Sequence, residues 1–149
     1  MNIDNNISTQ VITDEDSESG YIYILKSMST DPQIQSIKDL YKIGFCTTSV
    51  EDRIKNAETD PTYLMAPVYV IATVKCFNMN TQKLERLLHR FFAETCLNID
   101  ITDNKQNRYT PKEWFCVSLD VIEKVIALIL SGEIISFRYD KENRLIINR

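Results

Sequence analysis

The sequence predicts an α+β fold, a small antiparallel sheet of about three strands flanked by helices, with a C-terminal hairpin. Three observations lead to this prediction. The 149 residues suit one domain with a substantial core. The 44% hydrophobic and 26% charged residues are values of ordinary globular domains. Segments rich in Val, Ile and Tyr alternate along the chain with segments of helical periodicity.

The first half of the chain predicts two strands and a helix. Tyr21–Leu25 and Leu40–Phe45 are dense in aromatic and branched residues, and their proximity in the chain favours an antiparallel pair. Thr48 and Ser49 are suitable N-caps for a helix that ends at Asp60-Pro61.

The middle of the chain predicts a third strand and the most strongly periodic helix. Val68–Phe77 is rich in Val, Ile and Tyr. Asn80 or Thr81 can cap the helix that follows. Its apolar positions recur every three or four residues at Leu84, Leu87, Leu88 and Phe91.

The last third predicts a loop, a helix and a hairpin. Residues 98–112 are polar and form a long surface loop that Glu113-Trp114-Phe115 closes. Ser118 caps a helix that runs to about Ser131. The hairpin pairs Ile134–Tyr139 with Leu145–Asn148 across a Lys-Glu-Asn turn.

The charge is distributed unevenly. The net charge is −4, yet residues 1–19 carry five acidic and no basic residues, which leaves the remainder at +1. Because the acidic segment lacks hydrophobic periodicity, we expect a disordered tail over 1–19, either a solubilising terminus or a mimic of a nucleic-acid backbone. We expect the folded domain over 20–131 and a hairpin extension over 132–149.

The spacing of the cysteines and the length of the apolar runs indicate the cellular compartment of the protein. Cys46, Cys76, Cys96 and Cys116 form no Cys-x-x-Cys pair, so reduced thiols are favoured over a zinc or disulfide site. No apolar run approaches the ~18 residues of a membrane span, and no secretion signal is visible. We expect a cytoplasmic protein without a membrane partner.

Strand alternation predicts an aromatic, polar-tipped face on the first strand. Tyr21, Tyr23 and Leu25 lie on one face, and Ile22 and Ile24 lie on the other.

The same alternation in the second strand places Lys42 and Gly44 on one face, opposite Tyr41, Ile43 and Phe45. A glycine inside a strand marks either a kink or the close approach of a backbone or ligand.

Three polar side chains lean toward the core from two predicted helices. Arg53 lies about 60° from Val50 around the first helix, within the stripe that faces the sheet. Glu85 and His89 are four residues apart and share a surface beside the apolar stripe. Each alone suits a surface or snorkelling residue. Together with the Tyr/Lys strand face, they indicate one pocket of the kind that active sites use.

The order of these residues resembles the GIY-YIG nuclease superfamily. Gly20-Tyr21-Ile22-Tyr23-Ile24-Leu25-Lys26 is followed by Tyr41-Lys42-Ile43-Gly44, then by Arg53 and Glu85. The nearer likeness is to the phage- and bacterial-type branch, which has a Tyr-Lys-Ile-Gly second motif, Glu and His four apart, and a final Glu-Trp-Phe. The resemblance covers about Gly20–Phe115 and implies a nuclease domain over 20–131.

The resemblance implies a role for each matching residue. The first tyrosine of the family matches Tyr23, its arginine matches Arg53, and its metal-binding glutamate matches Glu85. Its second tyrosine is replaced by Lys42, since the neighbouring Tyr41 points to the opposite face and is expected in the core.

These roles suit a metal-dependent endonuclease that hydrolyses DNA phosphodiester bonds. Tyr23 or Lys42 takes or relays the proton of the attacking water, provided neighbouring cations lower its pKa, and Arg53 holds the phosphate. Glu85 is expected to be the single protein ligand of Mg²⁺ or Mn²⁺. His89 is either a second general base or a residue that orients Glu85.

Substrate contacts are expected from Gly44 and from two cations of the 98–112 loop, Arg108 and Lys112. Glu113 is either a second carboxylate behind the site or a contact that closes the loop. DNA is the expected partner, and cleavage specificity would come from the loop, a homodimer or a partner protein. The compartment would be the host cytoplasm if a phage encodes the chain.

A second interpretation is a catalytically inactive module that binds DNA or another protein. The lysine in place of the second tyrosine and the low basic charge favour this module. The joint presence of Tyr23, Arg53 and Glu85 favours the enzyme.

Overall fold

The computed structural model describes residues 18–77 and 80–149. Their main feature is a four-stranded antiparallel sheet with the strand order β3-β1-β2-β6. The strands are β1 (Glu18–Ser27), β2 (Leu40–Cys46), β3 (Val68–Phe77) and β6 (Trp114–Cys116). The predicted α+β fold with a small antiparallel sheet is therefore confirmed, and β6 adds a fourth strand.

Four α-helices connect or cover these strands within the described residues. They are α1 (Pro32–Gln35), α2 (Val50–Ile54), α3 (Thr81–Phe91) and α4 (Leu119–Ser131). Ser49 caps α2, and the Asn80 side chain caps α3 by accepting a hydrogen bond from the Lys83 N–H. Gly132 ends α4 in the left-handed conformation, with φ of 82°, which glycine adopts without a steric penalty.

The sheet separates two apolar clusters, because alternate side chains of each strand point to opposite faces. On one face, Ile22, Ile24 and Ile43 pack with buried residues of α3 and α4, among them Leu84 and Ile122. This arrangement confirms the predicted faces of β1 and β2.

The other face of the sheet carries the second cluster. Tyr23 and Leu25 pack there with Trp114 and with residues of the segments around α1 and α2, including Val50 and Tyr63. The polar groups of the candidate site lie at the border of this cluster.

Two small hairpins complete the described fold. The first joins β4 (Ile101–Thr102) to β5 (Arg108–Tyr109), and the second joins β7 (Phe137–Asp140) to β8 (Leu145–Asn148). The β7–β8 hairpin was predicted, but its first strand begins at Phe137 and not at Ile134, because a 3₁₀ turn occupies Glu133–Ser136. Its Tyr139 packs edge-on against the Phe92 ring of the core.

Three other boundaries also differ from the sequence predictions. The 98–112 segment is not a plain loop, because Asp103 accepts hydrogen bonds from two backbone N–H groups, those of Lys105 and Asn107, and so forms the β4–β5 turn. The first predicted helix ends at Ile54, and 3₁₀ turns follow at 57–59 and 61–63. Strand β1 begins at Glu18, inside the predicted tail, whose residues 1–17 lie outside the described part.

No helix among the described residues has the length and apolarity needed to span a bilayer.

Candidate metal centre

The candidate site lies beside β2, where strand β6 begins. The Ile43 N–H donates to the Glu113 carbonyl oxygen over 3.0 Å, just beyond the last β2–β6 pair, Lys42–Trp114. Beyond it, side chains of α3 pair with the β2 backbone. His89 donates from Nε2 to the Ile43 carbonyl oxygen over 2.8 Å, and the Phe45 N–H interacts with the Glu85 carboxylate. The free edge of β2 thus holds both α3 side chains in place.

Glu85, His89 and Glu113 form a cluster of metal-ligand type. One potential ligand atom of each residue lies within 4.8 Å of the other two, and all three side chains are partly buried. Because the Nε2–H of His89 is committed to Ile43, its Nδ1 lone pair is the nitrogen available to a metal or a proton. Two carboxylates and one imidazole therefore lie together in one cluster.

The pKa values of the α3 groups reflect their burial. Burial, together with the neighbouring Glu113 carboxylate, raises the pKa of Glu85 to about 7. Lys42 and Arg53 act in the opposite direction, although they do not cancel this increase. Burial also lowers the pKa of His89, so the imidazole is neutral at pH 7. A divalent cation would favour the ionised form of Glu85 and the neutral form of His89.

Lys42 forms an ion pair with Glu113 at the back of the cluster. Its side chain is 2% exposed, whereas that of Glu113 is 40% exposed. The ammonium group lies 5.0 Å from the centroid of the Tyr63 ring, a cation–π distance. Glu113 uses Oε1 for this pair, which leaves its second carboxylate oxygen available to a metal ion.

Tyr23 and Tyr63 place two hydroxyl groups together beside this ion pair. Their oxygens are 3.4 Å apart, and both side chains are buried. Trp114 fixes the turn that carries Tyr63 by donating from Nε1 to the Thr62 carbonyl oxygen over 3.0 Å. Burial and the contact with Tyr63 raise the pKa of Tyr23, despite the opposing effect of Arg53. The condition for Tyr23 to act as a base, that neighbouring cations lower its pKa toward neutrality, is therefore not met in this structure.

Arg53 reaches the site from α2. The hydrogen bond with the Tyr23 hydroxyl is the main cause of the raised pKa of Arg53. The residue remains exposed and lines a cavity of about 240 Å³ together with Lys42, Lys112 and Glu113. Its guanidinium is thus held beside the tyrosines and is open to an anion.

The structure brings most of the predicted site residues together and separates one of them. Lys42, Arg53 and Lys112 line one cavity with Glu113, and Glu85 and His89 form the cluster with the same Glu113. Tyr23 adjoins this group through its interaction with Arg53. Arg108 lies outside the residues that line this cavity.

The substrate-binding roles expected for Arg108 and Gly44 stay predictions. Arg108 lies in β5, 77% exposed, and faces Asp100 at 3.8 Å. The space beside Gly44 is filled by the Tyr23 ring, which a Cβ at position 44 would approach to 2.5 Å. The close approach that the glycine allows is therefore internal to the chain.

The sequence interpretation missed Tyr63 and understated Glu113. Tyr63 lies in a 3₁₀ turn, where no periodicity marks its direction. Glu113 was expected either behind the site or as a loop contact, and it lies in the cluster itself. The one available signal was its position directly before the apolar Trp114–Phe115, which suits the end of a strand.

Comparison with known proteins identifies a family different from the expected one. The protein family described as "T5orf172 domain" matches residues 20–130. The assignment to the GIY-YIG superfamily, based on a few short motifs, is therefore corrected by a match that spans most of the chain.

A curated relative extends this comparison. The chain is 50% identical over 115 residues to the uncharacterized protein YeeC of Bacillus subtilis (strain 168). The matched region is 77% of this chain and 30% of YeeC, so the chain spans less than a third of that relative. No solved structure is significantly similar to the chain.

Proposed function

The chain belongs to the T5orf172 domain family, and from the geometry of its candidate metal centre we propose that it is a metal-dependent endonuclease that hydrolyses DNA phosphodiester bonds. One observation carries the proposal. Glu85, His89 and Glu113 direct three ligand groups to one point, within 4.8 Å of one another, beside an arginine that is open to an anion.

The donor set suits a hard divalent cation. Two carboxylates supply oxygen ligands of the kind that Mg²⁺ and Mn²⁺ prefer. The imidazole nitrogen of His89 favours Mn²⁺ over Mg²⁺, because Mg²⁺ takes oxygen ligands almost exclusively. When bound, the cation would polarise a phosphoryl oxygen and lower the pKa of a coordinated water.

The residues around the centre match what phosphodiester hydrolysis requires. Arg53 is placed to hold a non-bridging phosphate oxygen and to stabilise the charge that develops on it. Lys42 supplies a buried positive charge behind Glu113. Tyr23 retains its proton because its pKa is raised, so it acts as a hydrogen-bond donor to the phosphate rather than as a base.

His89 is the residue best placed to accept the proton of the attacking water. His89 is neutral at pH 7 and has Nδ1 free, so it accepts a proton when it is not itself a ligand. Glu85 is less suited because it is a proposed ligand of the cation, which would keep its carboxylate ionised. Lys42 is less suited to this role because its ammonium group is committed to Glu113.

The cysteines support an intracellular location for this activity. All four are free thiols, and Cys46 and Cys76 are buried. Since disulfides are rare in reducing compartments, we place the proposed activity in the cytoplasm.

A cleavage assay tests the proposal. Purified protein is incubated with supercoiled plasmid and with single-stranded DNA, in Mn²⁺, in Mg²⁺ or in chelator, and the products are separated on a gel. We expect nicked or linear DNA with Mn²⁺ and none with chelator. Glu85→Gln should abolish cleavage, because an amide is a poor ligand for these cations.

Glu123→Gln is the matched control, since Glu123 is an exposed carboxylate of α4. It removes the same charge and should leave cleavage unchanged. Metal-dependent cleavage by Glu85→Gln would overturn the assignment of the centre. DNA binding without cleavage in any metal would favour the inactive binding module.

A further inference from the structure

Three cations form a stripe along the solvent side of α3. They are Lys83, Arg86 and Arg90, and they line a shallow cavity of about 240 Å³ with Leu87. At 100° per residue, these three positions lie within about 60° of one another around the helix. Arg86 and Arg90 are exposed, and Lys83 is half-buried. We call Lys83, Arg86 and Arg90 the basic stripe.

The basic stripe has no acidic partner among residues 18–77 and 80–149. The ion pairs found there join Lys42 to Glu113, Arg108 to Asp100 and Arg144 to Asp39. Like charges one turn apart repel each other on a helix surface. Within the described residues the stripe therefore forms no ion pair, and an external anion could provide its counter-charge.

The stripe and the candidate metal centre share one rigid helix. Glu85 lies about 100° from Arg86 around the axis, and His89 lies between them in angle. The α3 helix is fixed to the sheet by the buried Leu84 and Leu88 and by the His89 hydrogen bond to Ile43. The distance between the stripe and the centre is therefore nearly constant.

We propose that the basic stripe binds the phosphate backbone of a DNA duplex and positions the strand whose phosphodiester enters the metal centre. This inference rests on the proposed function, because the adjacent centre selects a phosphodiester polymer over other polyanions. From position 83 to position 90 the helix rises about 10.5 Å, and one DNA strand carries about three phosphates in that axial length. Three cations thus match three successive phosphates.

The chain as a whole does not favour binding of a polyanion, so the local stripe must provide the attraction. The net charge is −4, and five of the acidic residues lie in 1–19. Binding through three phosphate contacts is expected to be weak and strongly salt-dependent.

The test measures binding apart from cleavage. All proteins carry Glu85→Gln in the full chain, and binding to a fluorescein-labelled 20-base-pair duplex is followed by anisotropy in chelator, from 25 to 200 mM salt. The stripe variant adds Lys83→Gln, Arg86→Gln and Arg90→Gln. The control adds Lys124→Gln, Arg138→Gln and Lys141→Gln, three exposed cations of α4 and the C-terminal hairpin, for the same change in net charge.

We expect the stripe variant to lose at least about tenfold in affinity at the lowest salt. The slope of log K against log salt should fall in magnitude by about 2 to 3, since each duplex phosphate contact contributes about 0.9. The control variant should keep most of the affinity of the parent protein and most of its salt slope. Circular dichroism and thermal unfolding are the controls that check whether all the proteins are folded.

If the stripe variant and the control variant bind with the same affinity and the same salt slope, the proposal is overturned. This holds whether the two variants both match the parent protein or both bind more weakly than it does. Undetectable binding by the parent protein at the lowest salt would also overturn it. These outcomes are separate from failure of the proposed function. A wild-type chain that cleaves DNA but binds it independently of the stripe refutes only the stripe, and a chain that binds through the stripe but never cleaves refutes only the nuclease.

Discussion

Tyr23 faces Gly44 across the β1–β2 ladder, and its phenol ring occupies the volume that a side chain at position 44 would need. A Cβ there would lie 2.5 Å from the ring and from its hydroxyl oxygen. The glycine therefore sets the position of the Tyr23 hydroxyl, which contacts Tyr63 and Arg53.

Gly44→Ala should displace the Tyr23 ring and separate the two hydroxyl groups. We expect a loss of stability of about 1–3 kcal/mol, typical of overpacking in a core, and a loss of cleavage. The measurement is chemical denaturation beside the plasmid assay. In a Tyr23→Ala background the clash is absent, so the added Gly44→Ala change should then have little effect on stability. Additive effects of the two changes would contradict the proposed contact.

Tyr23→Phe should reduce cleavage strongly and leave the fold intact. The ring keeps its packing, but the hydroxyl beside Arg53 is lost. Tyr21→Phe is the matched control on the same strand face. Because Tyr21 is only partly buried at the margin of the second apolar cluster, we expect much less effect from it. A larger loss of cleavage from Tyr21→Phe would show that the catalytic hydroxyl belongs to Tyr21 and not to Tyr23.

The stability of the metal-free protein should fall as pH rises through the range in which Glu85 ionises. Its pKa is about 7 in the folded chain against an ordinary value of 4.5, so the folded state holds the proton more tightly than the unfolded state. This contribution to stability is present below about pH 4.5 and is lost between there and about pH 7. Thermal unfolding of wild type and Glu85→Gln at pH 5 and pH 8 isolates it. Glu85→Gln should gain stability relative to wild type at pH 8 compared with pH 5.

The same proton should compete with the metal. Below pH 7, we expect the affinity for Mn²⁺ to fall by up to about tenfold per pH unit, because Glu85 must lose its proton to bind. Calorimetric titration at several pH values measures this dependence. A pH-independent affinity between pH 5.5 and pH 7.5 would argue that Glu85 is not a ligand.

Glu113→Gln should destabilise the chain more than Lys42→Met does. Removing the carboxylate leaves the buried ammonium group of Lys42 without its counter-charge, which we expect to cost about 1–3 kcal/mol. Removing the lysine leaves Glu113, whose side chain is 40% exposed and can be solvated. Denaturation of both single variants and of the double variant checks the order. A greater loss from Lys42→Met would show that packing of the lysine stem exceeds the charge effect.

The sequence by itself determined which side chains share a strand face or a helix surface. Alternation placed Tyr23 on the face of β1 opposite Ile22, and Lys42 on the face of β2 that carries Gly44. Helical periodicity placed Glu85 beside His89. These relationships depend only on the two-residue period of a strand and the 3.6-residue period of a helix, which are local properties of the chain.

The short motifs that carry these residues did not determine the family. A few residues in a fixed order constrain the local chemistry, whereas the family match depends on the whole of residues 20–130.

Only the tertiary structure decided which of these groups meet and how they ionise. Glu113 joins Glu85 and His89 because β6 pairs with β2 across some 70 residues of chain, and no local period encodes that pairing. Tyr63 reaches Tyr23 through an irregular 3₁₀ turn fixed by Trp114. The pKa of Tyr23 is raised because the folded core removes its hydroxyl from water. Desolvation and long-range pairing arise from the packed fold, so neither could be deduced from the order of the residues alone.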